Sequence, residues 1–401
     1  MIHAKASFAK RCARWAGMFC LVVTAATAQV PRFDHVIIVA EENTSYSSVV
    51  GSSAMPYLNG LMAQYGLATD YYANTHPSIG NYFELTMGQV FTNSDGYSST
   101  IDRDNVVRQL LAAGKTWKAY AESLPSVGWT GGDKYPYIKH HTPLAYSADV
   151  ANSAVQKQNL VPFTQFAQDL ANATLPAYAF VTPNQYHNAH DCPPGMATCA
   201  PSDKLRAADD WLKTNIAPLL VDPAFQNTLL VIVFDEAYSS DTTHGGGKVA
   251  MVAVSPAIPA GTRATAFYQH QSLLRTSLEA LGVTSFPGAA ASAPAMTDLF
   301  TSVAPPPPPP TMCPMSTVTP SVTICSPGAT SPATVRVTAG TTSTTAVNLI
   351  QIYVDGVKKH ETAASTVDTT VAMAAGSRRI TVQARDTSGF WFKSTVYVSV
   401  Q

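Results

Sequence analysis

The 401-residue sequence lacks three features, and each absence argues against one class of protein. It has no Cys-x-x-Cys pair, which argues against a cysteine-ligated zinc site. It has no basic excess, with 25 Lys and Arg against 26 Asp and Glu, so nucleic acid is not expected as its main partner. The apolar stretch at residues 15–23 is too short to span a bilayer, and no later segment does better, so we expect no transmembrane segment.

The N-terminal segment has the pattern of a secretory signal peptide. Four basic residues precede the apolar stretch, and the small residues Ala26-Thr27-Ala28 follow it. We therefore expect a signal peptide at residues 1–28, cleaved near Ala28, and a secreted or periplasmic protein. Without this segment 21 basic residues remain against 26 acidic ones, a net charge of about −5.

The four cysteines that follow the signal peptide form two local pairs. Cys192 is paired with Cys199, and Cys313 with Cys325. Because an exported protein meets an oxidising compartment, both pairs are expected to be disulfides.

Six consecutive prolines at 305–310 divide the chain, because such a run favours an extended linker. We place a catalytic domain at 29–304, a linker at 305–312 and a second domain at 313–401. In the first domain, apolar strand-like runs (36–40, 177–181, 229–234 and 249–254) alternate with helix-like stretches (105–113, 163–171, 203–220 and 271–281). This alternation predicts an α/β fold with a mainly parallel sheet flanked by helices.

The second domain has a different character. It is rich in Thr, Val and Ser, with short alternating runs punctuated by turn signals such as Asp355-Gly356. This pattern predicts a small all-β, Ig-like sandwich. It carries no cluster of histidines or acids, so we expect the chemistry in the first domain. The sandwich itself is of a kind that extends an enzyme, anchors it, or binds polysaccharide or a cell surface.

Two apolar runs of the first domain end abruptly in acid. One leads into Glu41-Glu42-Asn43 and the other into Asp235-Glu236. Ligands of open α/β sheets bind beyond the carboxyl ends of the strands, and adjacent carboxylates there repel each other unless a cation lies between them. We expect Glu41 to point to the opposite side of its strand from Glu42 and to be solvated. The pattern indicates a metallohydrolase with oxygen ligands.

Ser78 is the strongest candidate for a nucleophile. It lies between Pro77 and Gly80, which predict an exposed turn, and a nearby cation could lower the pKa of its hydroxyl. A helix behind this turn, over residues 82–87, would offer N–H groups to a phosphate. Taken alone, a serine in such a turn is commonly only a cap or turn residue, and Thr75 is the nearest other hydroxyl.

Several short motifs follow one another over residues 33–303. They are Glu42-Asn43, His76-Pro77-Ser78-x-x-Asn81-Tyr82, Thr182-Pro183-Asn184 with His187 to Asp191, Ala208-Asp209-x-Trp211-Leu212, Phe234-Asp235-Glu236 and His270-x-Ser272-Leu-Leu-Arg-Thr276. In this order they resemble the phosphoesterase family of bacterial phospholipases C and acid phosphatases, in the alkaline phosphatase superfamily. The resemblance implies an alkaline-phosphatase-like fold and a phosphate ester substrate.

The resemblance also implies a role for each matching residue. Ser78 would receive the phosphoryl group, and Asn81 would contact a phosphate oxygen. The implied general acid is one of three histidines: His141, His190 and His244. The implied ligands of a divalent metal ion are Glu42, Asn43, Ser78, Asp235 and Glu236. His76 is interpreted as structural.

Two departures from the family pattern bear on these roles. Asn188 replaces an aspartate, and an amide can coordinate a cation but adds no charge. Whether a second metal ion binds beside the first therefore stays open. Gly80 replaces a proline, which is expected to loosen the turn.

The sequence thus predicts a secreted, metal-dependent hydrolase of phosphate esters that acts through a phosphoserine. An acid-phosphatase-like monoesterase is preferred, because phospholipase C relatives have longer chains. A phospholipase C acting on phospholipid diesters is the alternative within the family. A catalytically silent binding or adhesion protein is the alternative of another class.

Overall fold

The computed structural model describes residues 29–301, 316–327, 330–331 and 333–401. These residues fall into two compact units, divided between residues 302 and 303. The predicted signal peptide, the whole predicted linker and Cys313 lie outside the described residues. Cleavage near Ala28, the domain boundaries and the Cys313–Cys325 disulfide therefore stay predictions. The predicted disulfide between Cys192 and Cys199 is present.

The first unit is built on a large sheet flanked by helices. Its strands are β1 (His35–Glu41), β2 (Gly66–Ala68), β3 (Tyr71–Tyr72), β4 (Trp117–Ala121), β5 (Leu160–Pro162), β6 (Tyr178–Thr182), β7 (Thr228–Phe234), β8 (Met251–Val254), β9 (Thr262–Ala264) and β10 (Tyr268–Gln269). Eight of them form one sheet in the order β5-β4-β6-β1-β7-β8-β2-β9, and β10 pairs with β3. Pairing is parallel except where β8 meets β7 and β2.

Helices cover this sheet. They are α1 (Tyr46–Val49), α2 (Pro56–Gln64), α3 (Ser78–Met87), α4 (Val106–Ala112), α5 (Ala148–Ala151), α6 (Thr164–Ala171), α7 (Pro201–Asn215), α8 (Ala217–Val221) and α9 (His270–Ala280), with short 3-10 helices at Lys139–His141, Pro143–Tyr146, Gln156–Asn159, Pro223–Asn227, Gly288–Ala291 and Thr297–Leu299. The predicted α/β class with a mainly parallel sheet is confirmed. The helix predicted over 203–220 is two helices, because Pro218 has no N–H for the carbonyl one turn earlier.

Burial explains why β1 and β7 are continuous apolar runs. Every residue of β7 is buried, as is every residue of β1 after His35. Both strands lie in the interior of the sheet with helices on its faces, so neither has a polar face to present to water.

The second unit is all-β, as predicted. Its strands are β11 (Ser321–Ser326), β12 (Thr330–Ser331), β13 (Thr334–Thr342), β14 (Val347–Val354), β15 (Val357–Thr362), β16 (Thr366–Ala372), β17 (Gly376–Asp386) and β18 (Trp391–Val400). They form a sheet β11-β13-β16 and a sheet β12-β18-β17-β14-β15. Alternate residues such as Val335, Val337, Ile350 and Ile352 form a core of their own. The comparison with Ig domains stays a prediction.

Across the described residues, no helix combines the length and apolar character needed to cross a membrane.

Candidate active site

The acidic residues singled out in the sequence lie at one edge of the sheet. Strands β1 and β7 are parallel neighbours, with Glu41 opposite Phe234. Glu42 follows β1 directly, and Asp235 and Glu236 follow β7, so all three carboxylates leave the sheet at its carboxyl edge. All three side chains are almost fully buried. The expectation that Glu41 is solvated was wrong, because helices cover both faces of the sheet and its side chain is fully buried as well. This is the edge where ligands of open α/β sheets bind.

Asp235 organises the backbone at this edge. Its Oδ1 atom accepts the N–H of Glu236 at 2.7 Å and that of Asn43 at 3.0 Å. Asn43 has a φ of 38°, a left-handed conformation that asparagine tolerates better than most residues. The Oδ2 atom of Asp235 is buried without a hydrogen-bond partner. One oxygen of this carboxylate is therefore left for another ligand.

Ser78 lies within hydrogen-bonding distance of this cluster. Its Oγ atom is 3.1 Å from Glu42 Oε2 and 3.4 Å from both Asn43 Oδ1 and Glu236 Oε1. The sequence suggested an exposed turn at Ser78, and the structure corrects this. Helix α3 begins at Ser78, and all ten residues of that helix are buried. The N–H of Ile79 is also not free for a phosphate, since it donates to Asp95 Oδ1 at 3.2 Å.

Asn81 and His76 hold the loop that carries Ser78. The Oδ1 atom of Asn81 accepts the N–H groups of Asn74 and Thr75, and its Nδ2 atom donates to Thr75 O at 2.8 Å. The same Nδ2 is 3.4 Å from Glu236 Oε2, so Asn81 also borders the cluster. His76 bridges Glu236 Oε2 and the carbonyl of Asp241 at 2.9 and 3.0 Å, which fits its interpretation as structural.

Glu42 is held by two rings. The hydroxyl of Tyr82 donates to Glu42 Oε1 at 2.6 Å, and His141 Nε2 lies 3.1 Å from the same oxygen. The two rings stack with their centroids 5.1 Å apart. Sequence reasoning assigned Tyr82 no role. Its position four residues after Ser78 on α3, and so on the same helix face, is the signal that could have found it.

Burial makes the charged form of these carboxylates unfavourable. It raises the pKa of Glu42 and Asp235 well above the ordinary value, with further repulsion from Asp235 on Glu42 and from Glu236 on Asp235. Burial, with repulsion from Asp95, raises the pKa of Glu236 to about 8. A positive charge among them would favour the ionised form of all three.

A cleft of about 320 Å³ opens beside the cluster. It is lined by Asn43, Thr44, Ala189, His190, Pro201, Lys204, Glu236, Tyr238 and Ser239. Asn43 and Glu236 each have an oxygen 3.4 Å from Ser78 Oγ. A substrate in this cleft would therefore lie next to the candidate nucleophile.

Comparison with known proteins assigns the family. The sequence model of the Phosphoesterase family matches residues 52–283. The chain belongs to the phosphoesterase family. The family resemblance inferred from the motifs is thereby confirmed, and this phosphoesterase is a hydrolase that acts on phosphate esters.

Three curated relatives are similar to this phosphoesterase. A phosphatidylinositol-3-phosphatase of Mycobacterium tuberculosis is 30% identical over 290 residues, 72% of this chain and 89% of that protein. A probable acid phosphatase of Kluyveromyces lactis is 32% identical, over 62% of this chain and 58% of that protein. An acid phosphatase of Aspergillus fumigatus is 31% identical, over 58% of this chain and 51% of that protein. The chain thus spans little more than half the length of these acid phosphatases.

The three candidate histidines of the phosphoesterase occupy different places. His141 is buried against Glu42, and burial keeps its pKa well below the ordinary value. His190 lines the cleft, with Nδ1 2.7 Å from Asp191 Oδ1. His244 is not brought to the cluster: its exposed ring packs on Tyr72 and Phe267, with centroids 4.5 and 4.8 Å away.

Asn188, the departure from the family pattern, supports the backbone of the site. Its carbonyl accepts the N–H of Glu42 at 2.8 Å, and its Oδ1 atom accepts the N–H of His190 at 3.0 Å. The side chain is fully buried, and its Nδ2 atom donates to Gln185. The side-chain amide therefore holds the backbone of His190, while the main-chain carbonyl of the same residue holds that of Glu42.

Proposed function

We propose that the protein is a secreted, metal-dependent phosphomonoesterase that forms a phosphoserine at Ser78. The observation that carries the proposal is the position of Ser78 Oγ, 3.1 to 3.4 Å from oxygens of Glu42, Asn43 and Glu236. The acid phosphatases among the relatives support a monoester as the substrate. The signal-peptide pattern of the sequence supports secretion.

The residues at the sheet edge fit a hard divalent cation. In the described part of the chain, no group of three or more His, Cys, Asp or Glu side chains is positioned so that it could hold a metal ion by itself. We therefore propose a mixed set, in which Glu42, Asp235 and Glu236 act with the neutral oxygens of Asn43 and Ser78. The unpartnered Oδ2 of buried Asp235 supports this assignment. A bound cation would lower the pKa of the serine hydroxyl and offset charge on the phosphoryl group.

The residues of the chain supply the remaining chemistry. Glu42 Oε2 accepts the hydrogen bond of the Ser78 hydroxyl, while Tyr82 and His141 hold Oε1 of the same carboxylate. This fixes the direction of the serine oxygen for attack on phosphorus. Asn81 keeps the loop in place and is proposed to contact a phosphate oxygen.

We propose His190 as the general acid, since it lines the cleft in which the leaving alcohol would lie. Its Nδ1 atom is engaged with Asp191, so Nε2 is the nitrogen available for proton transfer. When the Ser78 Oγ–P bond forms and the ester P–O bond breaks, the serine proton passes to Glu42 Oε2, and His190 Nε2 protonates the departing alkoxide. Water then attacks the phosphoserine and loses its proton to the same nitrogen. As the Ser78 Oγ–P bond breaks, phosphate leaves and Glu42 returns the proton to the serine oxygen.

The test uses the full-length protein with p-nitrophenyl phosphate, bis(p-nitrophenyl) phosphate and phosphatidylcholine, with and without EDTA. We expect the monoester to be hydrolysed fastest, and EDTA to abolish turnover until a divalent metal is restored. Faster hydrolysis of phosphatidylcholine would favour the phospholipase C alternative. No turnover of any substrate under all metal conditions would favour the silent binding protein.

The nucleophile is tested with Ser78→Ala against Thr75→Val, which removes the neighbouring hydroxyl and keeps its shape. Ser78→Ala should lower kcat by roughly 10³-fold or more, whereas Thr75→Val should retain activity. Acid quenching during turnover, followed by peptide mass spectrometry, should find phosphate on Ser78. Near-native activity of Ser78→Ala would contradict the proposal and make Thr75 the next candidate.

A further inference from the structure

We infer that Lys204 binds a second anionic group on the leaving alcohol, so that the preferred substrate is a small phosphate monoester carrying a further phosphate or carboxylate. The inference rests on the proposed function, because it assumes that the reacting phosphate lies beside Ser78. It concerns a residue that lines the cleft and to which the proposed chemistry assigns no role. Three observations support it.

The first observation is the position of Lys204. It is the fourth residue of α7 and lines the same cleft as Asn43 and Glu236. Its Nζ atom donates to the carbonyl oxygen of His190 at 2.7 Å. This hydrogen bond holds the ammonium group beside the proposed general acid, where the leaving alcohol would lie.

The second observation is that the charge of Lys204 is not paired. None of the salt bridges among the described residues includes Lys204. An ammonium group has three N–H donors, and the His190 carbonyl uses one of them. Two donors and a full positive charge are left for a ligand.

The third observation is the size and chemistry of the cleft. Its volume of about 320 Å³ is near the lower end of the range for ligand pockets, roughly 300–1,000 Å³. Besides its charged residues it is lined by polar Ser239 and by the apolar surface of Ala189, Pro201 and Tyr238. A cleft of this volume holds a short alcohol, whereas a pair of acyl chains would not fit in it.

Together these observations provide for a second negative charge on the substrate. The phosphoryl group would lie beside Asn43 and Glu236, next to Ser78, and the second anion would lie at Lys204. A hydrogen bond to a charged group changes affinity by about tenfold or more when one partner is removed. Lys204 would therefore determine which monoesters are good substrates.

The experiment compares matched substrates on the full-length, metal-loaded protein. One pair is glycerol 3-phosphate and 3-phosphoglycerate, which adds a carboxylate. The other is glucose 6-phosphate and glucose 1,6-bisphosphate, which adds a phosphate. The wild type should favour the anion-bearing member of at least one pair by about tenfold in kcat/KM, and the pair that responds identifies the anion.

Three variants assign this preference to Lys204. Lys204→Gln should lower the ratio of kcat/KM within the responding pair by about tenfold, mainly through KM, and Lys204→Arg should retain the ratio. Lys213 is exposed on the same helix, and Lys213→Gln should leave kcat/KM for both substrates of the pair unchanged. Circular dichroism melting curves check that each variant is folded.

Two results would overturn the inference. One is a wild type with no preference within either pair, which needs no variant and so does not depend on folding. The other is a Lys204→Gln protein whose ratio equals that of the wild type. If the wild type fails to hydrolyse glycerol 3-phosphate, glucose 6-phosphate and p-nitrophenyl phosphate alike, the proposed function itself fails, which is a separate result.

Discussion

At the scale of single residues, Asp235 shows how a buried carboxylate can oppose stability and still serve a site. Its Oδ1 atom accepts two backbone N–H groups, while its Oδ2 atom has no partner. An asparagine at this position would keep the first oxygen and lose the charge. The residue is therefore suited to separating the contribution to stability from the contribution to activity.

Asp235→Asn should lower metal-dependent kcat/KM by roughly 10²-fold or more, because a charged ligand is lost. Its free energy of unfolding in EDTA should equal or exceed that of the wild type, because an incompletely satisfied buried carboxylate is removed. Urea titration in EDTA and kinetics with added metal measure the two effects. Asp210→Asn, at an exposed position, is the control. Full EDTA-sensitive activity in Asp235→Asn would exclude Asp235 as a ligand.

Glu84 predicts a pH dependence of stability. Its side chain on α3 is buried, and burial raises its pKa from 4.5 to about 7, opposed by a hydrogen bond from the backbone of Val90. Between these two pH values the unfolded chain loses the proton while the folded chain keeps it. The contribution of protonated Glu84 to the free energy of unfolding is therefore fully present below pH 4.5 and is lost as the pH rises towards 7.

Glu84→Gln should remove this loss, because glutamine keeps an acceptor and cannot ionise. At pH 8 the variant should be more stable than the wild type, by at most about 3 kcal/mol, and at pH 4 the two should be similar. Urea unfolding at both pH values measures the difference. An equal shift at both pH values would show that the effect comes from packing and not from ionisation.

At the scale of elements, the start of α3 depends on a close approach at Gly80. A Cβ atom on Gly80 would lie 2.5 Å from Thr75 Cγ2 and 2.5 Å from Asn93 Oδ1. The sequence suggested that glycine loosens this turn, but its effect in the structure is to let the loop that precedes Ser78 pack against the helix. The loop is then held by the hydrogen bonds of Asn81.

Gly80→Ala should destabilise the protein by about 1–3 kcal/mol and lower activity, because the added methyl displaces Thr75. Combining it with Thr75→Ser, which removes the opposing methyl, should recover part of both losses. Gly60→Ala is the matched control: it lies within α2, a Cβ there has nothing within 4 Å, and it should stabilise by up to about 1 kcal/mol. Melting temperatures and kcat/KM are measured for all variants. Equal melting temperatures for Gly80→Ala and the wild type would refute the steric argument.

The main elements were predictable where a local pattern carries the information. Runs rich in Val and Ile indicated β1 and β7, and their acidic ends indicated the shared edge, because parallel strands present their carboxyl ends together. The start of α3 was missed, since a helix buried on all sides has no amphipathic period. The break between α7 and α8 was missed although Pro218 marks it.

The sequence predicted the site residues that directly follow a strand. It did not predict the contacts between segments that are far apart in the chain. Glu42 and Asp235 are brought together by strand pairing, which the sequence implies. The stacking of His141 on Tyr82 joins segments far apart in the chain, and no local pattern encodes it. The ring of His244 packs on Tyr72 and Phe267. The next two residues, Gly245 and Gly246, pack closely on the backbone of Asn74 and Thr75, a tertiary contact that no local pattern encodes either.

At the scale of the whole molecule, the candidate site belongs to one unit. All residues proposed for chemistry, and all that line the cleft, lie between Glu42 and Ser239, within the first compact unit. The second unit has its own core and its own sheets. We therefore expect the two units to be separable in function.

Removing residues 303–401 should leave kcat/KM for p-nitrophenyl phosphate within about twofold of the full-length value, since no site residue is lost. Steady-state kinetics of the truncated protein, with circular dichroism to check its fold, measures this. Inactivity of a well-folded truncated protein would mean that the second unit contributes to the site.

The burial of α3 has a consequence for dynamics. Because all ten of its residues are buried, the amide hydrogens of this helix should exchange with solvent only when the whole first unit opens. We therefore expect no local opening of the backbone at Ser78 at low free energy. Any adjustment to an arriving substrate would fall to the other side of the cleft, where Tyr238 and Ser239 are exposed to water.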